Sequence, residues 1–577
     1  MGDGPSTLQT RRRAVWGAVF VGVIALAAGL TLWLWLNREP LPPPTAKGPA
    51  WFEDVTESVG LKFVHDAGPT GAYFLPQIMG SGAALFDCDG DGRLDILLLQ
   101  NAGPKSESRN RLFRQKEDGT FEDISAGSGL DVAGFGMGIA LGDVNNDGKP
   151  DVLITEYRGI RLFLNNGNRT FTEVTRLSGL DSIHWATAAS FVDFDRDGWL
   201  DLVVVHYVDY DPGQRCNGAG ARIDFCHPSL FPTTVTRLYR NLGPQKDGRI
   251  AFRDETLQSG LAERPSAGLG VLCADFDGDG WPDIFVANDA GPNRLWINQH
   301  DGKFREEAAQ RGCAYNALGQ AQGNMGIAHG DVTGTGLAGL VVTHLTEETH
   351  ALWQQGPAGL FTDWTAASGL AAIRRGTGFG VVLADFDCDG HLDLALVNGR
   401  VSRAPGSKAH GFDWNDYAER NQVLVNDGNG WFREISSDNP AFCGKPALGR
   451  GLCAGDIFNT GRIDLLATYV NGPARIYRNA VPKPDHWLGV RALVPAWKRD
   501  AYGAVITVTA GKRQWTRLIQ PGSSYLCSND PRAHFGLGAA ESVDAIHVAW
   551  PDGTVERFPG GAVDRYLTLK KGEGKPG

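Results

Sequence analysis

The sequence predicts an all-β protein: a seven-bladed β-propeller closed by an N-terminal strand, with a small C-terminal β domain after it and one transmembrane helix before it. Three observations predict this order. An aspartate-rich loop recurs through most of the chain, a four-strand pattern of about 50 residues surrounds each copy, and an uncharged apolar run stands near the N terminus. A chain of 577 residues is also too long for one simple core.

The apolar run extends over residues 14–36 without a charged side chain and directly follows Arg11, Arg12 and Arg13. At about 1.5 Å per residue it is long enough to cross a bilayer with some tilt. The run is longer than the apolar core of a signal peptide, so an uncleaved anchor is favoured over a cleaved signal. Arginines stay on the cytoplasmic side. We therefore expect a cytoplasmic N terminus, a single-pass anchor, and the bulk of the chain in the periplasm or outside the cell.

The recurring loop has the form D-x-D-x-D-G-x-x-D, and its first copy runs from Asp87 to Asp95. Aspartates at positions 1, 3, 5 and 9, a main-chain carbonyl at position 7, and glycine for the sharp turn at position 6 provide hard oxygen ligands for calcium. The glutamate that completes an EF-hand is absent, and the apolar segment 96–99 follows where an EF-hand has a helix. The pattern therefore predicts a calcium loop inside a β-hairpin.

Seven copies of the loop occur, and we number them 1 to 7. Their first residues are Asp87, Asp143, Asp193, Asp275, Asp331, Asp385 and Asp456. Loops 5 and 7 have lost a ligand, because Gly339 replaces the aspartate at position 9 and Phe458 replaces that at position 3; no metal is predicted there. The other five loops are predicted to bind about five calcium ions, with the position-7 residue contributing its carbonyl. The predicted ligands are Asp87, Asp89, Asp91, Arg93, Asp95, Asp143, Asn145, Asp147, Lys149, Asp151, Asp193, Asp195, Asp197, Trp199, Asp201, Asp275, Asp277, Asp279, Trp281, Asp283, Asp385, Asp387, Asp389, His391 and Asp393.

The charge balance agrees with this assignment. The chain has 66 acidic and 55 basic residues and a formal charge of −11, which five calcium ions would bring close to zero. The acidity therefore requires no cationic partner, and it disfavours nucleic acid as a partner. One such loop alone is more often a solvated turn, but five in the same frame favour calcium.

Each loop stands between short β segments that together form one four-stranded unit. A glycine-rich strand precedes the loop and an apolar strand follows it; a third strand, a turn of Asn-Gly or Asp-Gly type and a fourth strand complete the unit. Seven loops imply seven blades. Residues 51–56 look like a fourth strand without a blade, and residues 475–479 like a third strand without a successor, so pairing them would close the ring. The recurrent glycines predict first strands that converge on a narrow axis.

The nine cysteines allow disulfides if the chain is exported. Cys216 and Cys226 are close in sequence and form the favoured pair, with Cys443 and Cys453 as the second choice. Because the count is odd, at least one thiol is left unpaired.

The C-terminal residues 482–571 leave the repeat and carry several strand-like runs, so they are predicted to form a separate small β domain, with a short tail at 572–577. Four of its segments are similar to the ASPIC/UnbV domain: Tyr502–Val508, Gly522–Leu526, His534–Gly538 and Val548–Gly553. The loops and strands of residues 51–481 resemble the FG-GAP or VCBS repeats of the integrin α-subunit propeller, and the whole resembles the cartilage acidic protein type. The resemblance implies an integrin-α-like, calcium-stabilised propeller outside the cytoplasm that serves in binding or adhesion. It implies no reaction for the C-terminal domain.

Polar residues end the second strand of every unit, after strands that are otherwise apolar. We expect them to surround one mouth of the propeller axis and to form a partner-binding face with His184 and two insertions, 207–235 and 400–421. The alternative, that strands simply end in polar residues where loops begin, stays open. The ligand-face candidates are Gln100, Glu156, His184, His206, Asn288, His344, Asn398 and Tyr469.

The leading functional hypothesis is a membrane-anchored, calcium-binding module for a protein or a glycan outside the cytoplasm. Its rival is a propeller enzyme, a lyase or hydrolase that acts on extracellular polysaccharide at the axial mouth. No G-x-S-x-G or H-E-x-x-H motif assigns a nucleophile or a metal to such an enzyme, so no catalytic residue is predicted. A third interpretation is a scaffold that assembles through the C-terminal domain.

Overall fold

The computed structural model describes residues 48–218, 222–373, 376–407 and 411–577. The predicted transmembrane segment lies outside these residues, and none of the helices within them is long and apolar enough to span a membrane. The described helices are single turns in an otherwise β structure. They are α1 (Pro76–Met79), α2 (Ala308–Arg311), α3 (Pro440–Cys443) and the 3-10 turns Pro228–Leu230, Leu261–Glu263, Pro357–Gly359, Leu370–Ala372, Trp414–Tyr417 and Ser436–Asp438.

Seven sheets in the described part of the chain share one plan: four antiparallel strands, with an aspartate-rich loop joining the first to the second. We give each sheet the number of its loop. The strands of the N-terminal closure and of sheets 1 to 4 are β1 (Phe52–Asp54), β2 (Ala83–Phe86), β3 (Asp95–Leu98), β4 (Arg111–Gln115), β5 (Phe121–Asp123), β6 (Gly136–Gly142), β7 (Asp151–Glu156), β8 (Gly159–Asn165), β9 (Phe171–Glu173), β10 (Ala186–Val192), β11 (Asp201–His206), the insertion hairpin β12 (Cys216–Asn217) and β13 (Ile223–Asp224), β14 (Arg237–Pro244), β15 (Ile250–Asp254), β16 (Gly268–Ala274), β17 (Asp283–Asn288), β18 (Arg294–Asn298) and β19 (Phe304–Glu306).

Sheets 5 to 7 follow the same plan. Their strands are β20 (Ile327–Gly330), β21 (Gly339–Val342), β22 (Ala351–Gln355), β23 (Phe361–Asp363), β24 (Gly378–Ala384), β25 (Asp393–Asn398), β26 (Gln422–Asn426), β27 (Phe432–Glu434), β28 (Gly449–Gly455), β29 (Asp464–Tyr469) and β30 (Arg475–Asn479). The predicted closure is confirmed, because β1 pairs antiparallel with β30 and places Phe52 opposite Asn479.

The first strands of the seven sheets contact one another in sequence order, and the first strand of sheet 7 returns to that of sheet 1. Glycine permits this close approach. A Cβ added at Gly326 would lie 2.0 Å from the carbonyl oxygen of Phe379 in the next sheet, and one at Gly380 would lie 2.6 Å from the amide nitrogen of Leu452. The steric reason that the sequence predicts for these glycines is therefore present in the fold.

A side-chain amide at the end of each third strand joins every sheet to the preceding one. In sheet 2, for example, Nδ2 of Asn165 donates to the carbonyl of Cys88 in loop 1. Nε2 of Gln115 in sheet 1 donates to the carbonyl of Ile457 in loop 7, so these bonds run around the whole ring, and we call them the amide circuit. The other five bonds run from Asn241 to Val144, Asn298 to Phe194, Gln355 to Phe276, Asn426 to Val332, and Asn479 to Phe386.

The C-terminal module, residues 486–576, packs onto the ring and is less separate than the sequence predicts. Its strand β36 pairs in parallel with β2 of sheet 1 and places Cys527 opposite Ala83. Apolar side chains of the module share one core with sheets 2 and 3, including Phe535 with Phe191. The module's strands are β31 (His486–Val494), β32 (Arg499–Asp500), β33 (Val505–Ala510), β34 (Arg513–Leu518), β35 (Gly522–Ser523), β36 (Cys527–Ser528), β37 (Ala533–Gly538), β38 (Ser542–Ala549), β39 (Val555–Ala562), β40 (Arg565–Lys570) and β41 (Lys575–Pro576).

Of the two predicted disulfides, one is present in the structure and the other is not. Cys216 and Cys226 form a disulfide, as expected. The second predicted pair is wrong: Cys443 and Cys453 are free thiols. Their short separation in sequence is misleading because the two side chains are buried in different apolar cores.

Candidate calcium-binding loops

All seven aspartate-rich loops share one backbone arrangement. The glycine at position 6 has a positive φ in each, for example 83° at Gly92 and 95° at Gly390. Its amide donates to the carboxylate of the position-1 aspartate, as Gly92 does to Asp87 at 2.8 Å and Gly390 to Asp385 at 2.8 Å. The turn that the motif requires of glycine therefore also orients the first carboxylate.

Four of the five predicted calcium loops gather three carboxylates whose oxygen atoms lie within 4.8 Å of one another. This is the spacing expected when several oxygens surround one hard cation. The four groups are Asp87, Asp89 and Asp95 in loop 1; Asp193, Asp195 and Asp197 in loop 3; Asp275, Asp277 and Asp279 in loop 4; and Asp385, Asp387 and Asp393 in loop 6.

Loop 2 differs from the other four. Position 3 is the amide Asn145, and the carboxylate of Asp147 at position 5 accepts a 2.7 Å hydrogen bond from Nζ of Lys149. A lysine ammonium thus partly neutralises the site where the sequence alone predicts a cation. Among the five predicted sites, loop 2 has the weakest structural support.

Unpartnered carboxylate oxygens fit an additional cation in three of the loops. One oxygen each of Asp89, Asp193 and Asp385 is buried and has no hydrogen-bond partner. Burial also raises the pKa of Asp193 to about 7 and the pKa of Asp387 to about 6, because the charged form is poorly solvated. A divalent cation would stabilise the ionised form of both groups.

Protein cations compete for several of these carboxylates. Nε of Arg114 lies 2.6 Å from Asp89 in loop 1. In loop 3, Arg240 lies 2.6 Å from Asp195.

Loop 4 is also partly neutralised, because Arg311 contacts Asp277 at 3.2 Å and His300 contacts Asp279 at 2.6 Å. In loop 6, by contrast, none of the aspartates forms an ion pair within the described residues. Loop 6 therefore has the least direct neutralisation by protein cations among the four groups, although the buried Arg517 acts on Asp385 without forming an ion pair.

The aspartate at position 9 also has a structural role that the sequence does not predict, because it accepts hydrogen bonds from the backbone. In loop 6, the two oxygens of Asp393 accept the amides of Phe386 and Asn426, which fixes the loop to the third strand. Loop 7 keeps the same arrangement, with Asp464 accepting the amides of Ile457 and Asn479. Because loop 7 has lost its position-3 ligand, this aspartate serves the backbone even where no metal is predicted.

The two eroded loops differ in their surroundings. Loop 7 is a docking point for the C-terminal module: Nη2 of Arg532 donates to the carbonyl of Asp456, and the hydroxyl of Tyr566 donates to its carboxylate. In loop 5, the carboxylate of Asp331 accepts the backbone amides of its own turn, including that of Gly336 at 2.6 Å.

Seven of the eight ligand-face candidates are buried, and only His184 is half-exposed. The buried ones bond to groups within the chain, which favours the alternative that they complete strand ends. Their partners are the Asp66 amide for Gln100, Arg161 for Glu156, Ser182 for His206, the Pro292 carbonyl for Asn288, Asn324 for His344, the Arg420 carbonyl for Asn398 and Asn421 for Tyr469. As the chain is folded here, these side chains are not presented to a ligand.

The two predicted insertions do meet, at the face opposite the calcium loops. The hydroxyl of Tyr417 donates to Asp224 at 2.7 Å, and the amide of Arg403 donates to the same carboxylate at 2.9 Å. Around this junction, Tyr73, Phe412 and Trp414 are half-buried and contact one another or neighbouring rings. The sequence therefore identifies the two insertions that meet at this face, but it does not show that aromatic side chains surround their junction.

The axis of the ring is filled, which the sequence does not predict. Residues 520–530, the plug segment, enter from the side of the loops, and the turn α1 lies across the other side. The plug bonds to first strands of several sheets through Leu526 to Ile139, Ser524 to Ile327 and Val381, and Asn529 to Ala454. A cavity of about 10 Å³, enough for about one water, is left on one side of the plug. A larger cavity of about 330 Å³ lies between the plug, the C-terminal module and the first strands of sheets 4 to 7.

Arg450 lies at the far side of the plugged axis and is fully buried. Its guanidinium donates to the carbonyls of Ile78 and Gly399, and it stacks 3.8 Å from the centre of the Phe379 ring. Burial lowers the pKa of Arg450 to about 9. Its hydrogen bonds with the backbone indicate a role in closing the ring.

Comparison with known families agrees with this arrangement. A family model described as FG-GAP-like repeat matches residues 87–154, 143–204 and 275–342. A second model, ASPIC and UnbV, matches residues 495–576. The chain therefore carries FG-GAP-like repeats followed by a C-terminal ASPIC and UnbV domain. The FG-GAP matches cover loops 1 to 5, which include three of the four carboxylate groups described above.

Relatives of the chain include cartilage acidic protein 1 of mouse, which is 25% identical over an alignment of 552 residues; the alignment covers 92% of this chain and 78% of the relative. Human cartilage acidic protein 1 is 25% identical over 57% of this chain and 48% of its own length. The chain thus spans about half of the human relative in that comparison.

Two solved structures share broad features with the chain. A lectin of Agrocybe aegerita that recognises non-reducing terminal N-acetylglucosamine is 16% identical, covers 64% of this chain and 84% of its own, and has a TM-score of 0.36. BBS1N, solved in complex with ARL6DN, is 10% identical, covers 76% of this chain and 99% of its own, and has a TM-score of 0.38. Neither similarity is strong enough to bear on function.

Proposed function

We propose that this protein is a seven-bladed, calcium-binding propeller that acts outside the cytoplasm as an adhesion-like binding module for a protein or a glycan. We further propose that residues 14–36 anchor it in the membrane. The calcium part rests above all on loop 6, where Asp385, Asp387 and Asp393 approach within 4.8 Å and one buried oxygen of Asp385 has no partner. FG-GAP repeats and an ASPIC/UnbV domain support the extracellular, adhesion-like part.

Calcium in this proposal has a structural role. Each loop joins the first and second strands of one sheet, so an ion bound there would tie two strands together at the ring's inner edge. The unfolded chain does not gather the same carboxylates, so calcium binds the folded state preferentially and stabilises it by mass action. The ion would also relieve repulsion between neighbouring aspartates.

Partner binding is assigned to the face formed by the two insertions. The C-terminal module occupies part of the opposite, calcium-loop face, as its contacts with loop 7 illustrate. The half-buried rings of Tyr73, Phe412 and Trp414 offer flat apolar surfaces next to polar groups such as Arg403. Aromatic rings with polar neighbours suit both sugar faces and protein anchors.

The calcium assignment is tested by metal analysis of the full-length protein in detergent, dialysed against calcium. We expect about five bound ions for the wild type and one fewer for Asp387→Asn. In calcium the variant should have a lower melting temperature than the wild type. Chelator should lower the melting temperature of the variant less, because one of its sites is already empty. Asp427→Asn, a change at an exposed turn near loop 6, is the control and should keep the wild-type stoichiometry. The calcium proposal would be refuted if the wild-type protein contained no bound calcium and its melting temperature were the same with and without chelator.

The partner face is tested on an array of immobilised neutral and acidic glycans with calcium-loaded protein. Trp414→Ala should lose the binding that the wild type shows, at an unchanged melting temperature. Leu257→Ala, which alters a leucine that is 80% exposed on another surface, should bind normally. Equal binding by all three proteins would exclude this face, whereas no binding by the wild type would remove glycans as the partner.

A further inference from the structure

The plug segment brings two cysteines together from distant parts of the chain. Cys527 lies in β36, which enters the ring beside sheet 1, and Cys453 lies in β28, the first strand of sheet 7. Both side chains belong to the same apolar core, and they are only 5% and 0% exposed. Neither participates in the disulfide that the structure contains.

The two thiols face each other. The side chains of Cys453 and Cys527 pack in one apolar core, and burial together with the neighbouring Cys527 thiol raises the pKa of Cys453. An independent measure comes from Gly451, two residues before Cys453 in the same strand: a Cβ added there would lie 2.8 Å from Sγ of Cys527. Cys453 follows two residues later in this strand, and its side chain lies in the same apolar core as that of Cys527.

Other buried thiols of the protein have different neighbours. Cys273 contacts Ser190, Cys443 contacts Ser436, and Cys313 contacts the carbonyl of Ala308. Of the free thiols in the described chain, Cys453 and Cys527 are therefore the two that lie beside another thiol.

We propose that Cys453 and Cys527 are a modification site: a redox-controlled disulfide that ties the C-terminal module to the ring. The co-reactant is an external disulfide of the oxidised glutathione type. One thiolate attacks this disulfide to give a mixed disulfide and release one small thiol, and the second thiolate then displaces the other. One S–S bond forms and one breaks; the two protein thiols lose two electrons and two protons, and the reagent is reduced to two thiols.

Burial sets the conditions of this reaction. Burial raises the pKa of the Cys453 thiol, and the thiolate is the reactive form. Cys527 is part of the plug and both thiols are buried in the closed protein, so a reagent reaches them only when the plug withdraws or before it has inserted. The reaction therefore occurs during folding or during transient opening of the plug. Once the plug is in place, the closed protein keeps the two cysteines in the state, thiol or disulfide, in which it closed.

Closure of the bond would have a mechanical consequence. It would join the plug directly to β28, the first strand of sheet 7, which is the sheet that the N-terminal strand β1 completes. The C-terminal module could then no longer leave the loop face by withdrawing its plug. Oxidation would thus convert a docked module into a tethered one without new non-covalent contacts.

The test uses the full-length protein, unfolded and refolded in either reduced or oxidised glutathione buffer, followed by alkylation and peptide mapping. Refolding with reduced glutathione at a concentration that spares Cys216–Cys226 should leave seven thiols. Oxidised glutathione should remove two of them and link the peptides of Cys453 and Cys527. The same reaction on folded protein should be slow and should accelerate in mild urea.

Two variants control the assignment. Cys527→Ser should abolish the link, and Cys273→Ser should lose one thiol but still form it. A second readout on the wild type alone, hydrogen exchange of residues 520–530, should show slower opening after oxidation, so the test does not depend on the variants folding. The proposal is overturned if oxidative refolding leaves both thiols free, if they pair with other cysteines, or if the link leaves exchange of the plug unchanged.

Discussion

The hydroxyl of Tyr525 donates a 3.1 Å hydrogen bond to the backbone carbonyl of Met79, 446 positions earlier in the chain. Tyr525 belongs to the plug and Met79 ends the turn α1, so the two segments that enter the ring from opposite sides meet at this bond. Both residues are buried, Tyr525 completely. The fold therefore closes its own axis at this contact.

Removal of this contact should destabilise the whole protein. Tyr525→Phe keeps the ring but leaves the buried Met79 carbonyl without its partner, which should lower the free energy of unfolding by about 1–2 kcal/mol. Urea denaturation of the full-length protein measures the loss. Tyr315→Phe, at a tyrosine that is 40% exposed, should cost much less. Equal effects of the two changes would show that the bond contributes nothing to stability.

Calcium loading should control how firmly the C-terminal module is docked. Nε1 of Trp515 donates to the carbonyl of Gly390 in loop 6 at 3.1 Å, and Nη2 of Arg499 donates to that of Gly198 in loop 3 at 3.2 Å. Loss of calcium leaves repelling carboxylates in both loops, so these carbonyls should shift and docking should weaken. Hydrogen exchange of residues 513–518 should therefore accelerate in chelator.

The control for this experiment is sheet 5, whose loop is not predicted to bind metal. Exchange in its third strand, residues 351–355, should change much less than exchange in residues 513–518. If chelator accelerates both segments equally, the effect is a global loss of stability. If it accelerates neither, calcium and docking are independent.

The side-chain amides that join neighbouring sheets should be important for stability. Asn298 uses Nδ2 to bond the carbonyls of Phe194 and Pro282, while its Oδ1 accepts the amide of His300. Asn298→Ala removes three bonds and leaves buried carbonyls unpaired, so we expect a loss of about 3 kcal/mol in urea unfolding. Asn168→Ala, at an exposed turn, should cost under about 0.5 kcal/mol. A comparable loss for both variants would refute the role of the amide circuit.

The two roles of the position-9 aspartate should separate experimentally. Asp464 in loop 7 and Asp393 in loop 6 accept equivalent pairs of backbone amides, but only Asp393 belongs to a carboxylate group suited to metal. An asparagine at either position replaces one acceptor oxygen with a donor, which should cost about 1–3 kcal/mol. Urea unfolding should show the same cost for Asp464→Asn with calcium or with chelator.

Asp393→Asn should behave differently, because it also removes a calcium ligand. Its cost should be larger in calcium than in chelator, since only the calcium-loaded wild type has bound metal to lose. Costs that are independent of calcium for both variants would mean that position 9 serves the backbone alone.

The parts of this structure that follow from the sequence are those that repeat. Seven copies of one loop predict the sheets, and the unmatched strand at residues 51–56 predicts the closure with β30. The asparagine that ends most third strands, such as Asn241, also recurs and would have been a usable signal for the amide circuit.

The plug could not be predicted in the same way. Its residues occur once, and nothing in the pattern around Tyr525 shows which strands, hundreds of residues away, will bury it. The ligand-face pattern is ambiguous for a related reason, and the partner-binding role of these residues stays a prediction. A polar residue at a strand end gives the same sequence pattern whether it faces a ligand or bonds to buried groups within the chain, as His206 does.

Acid should destabilise the protein partly through His206. Its Nδ1 lies 3.0 Å from the carbonyl of Val235 and therefore carries the proton, so Nε2 accepts from Ser182. Burial lowers the pKa of His206 to about 3, and Arg237 and His184 act in the same direction. The unfolded side chain has a pKa of about 6.5, so between about pH 6.5 and pH 3 the unfolded state binds more protons. Stability should be independent of this group above pH 6.5 and should fall as the pH decreases below it.

The measurement is the free energy of unfolding between pH 8 and pH 4, in chelator, so that calcium release does not contribute. His206→Asn cannot take up the proton, and its stability should fall less steeply with acid than that of the wild type, even if it is less stable at pH 8. Tyr315→Phe, which alters no histidine, should keep the wild-type slope. If His206→Asn follows the wild-type slope as well, the acid sensitivity arises at other groups, and His206 takes up its proton equally in the folded and unfolded chains.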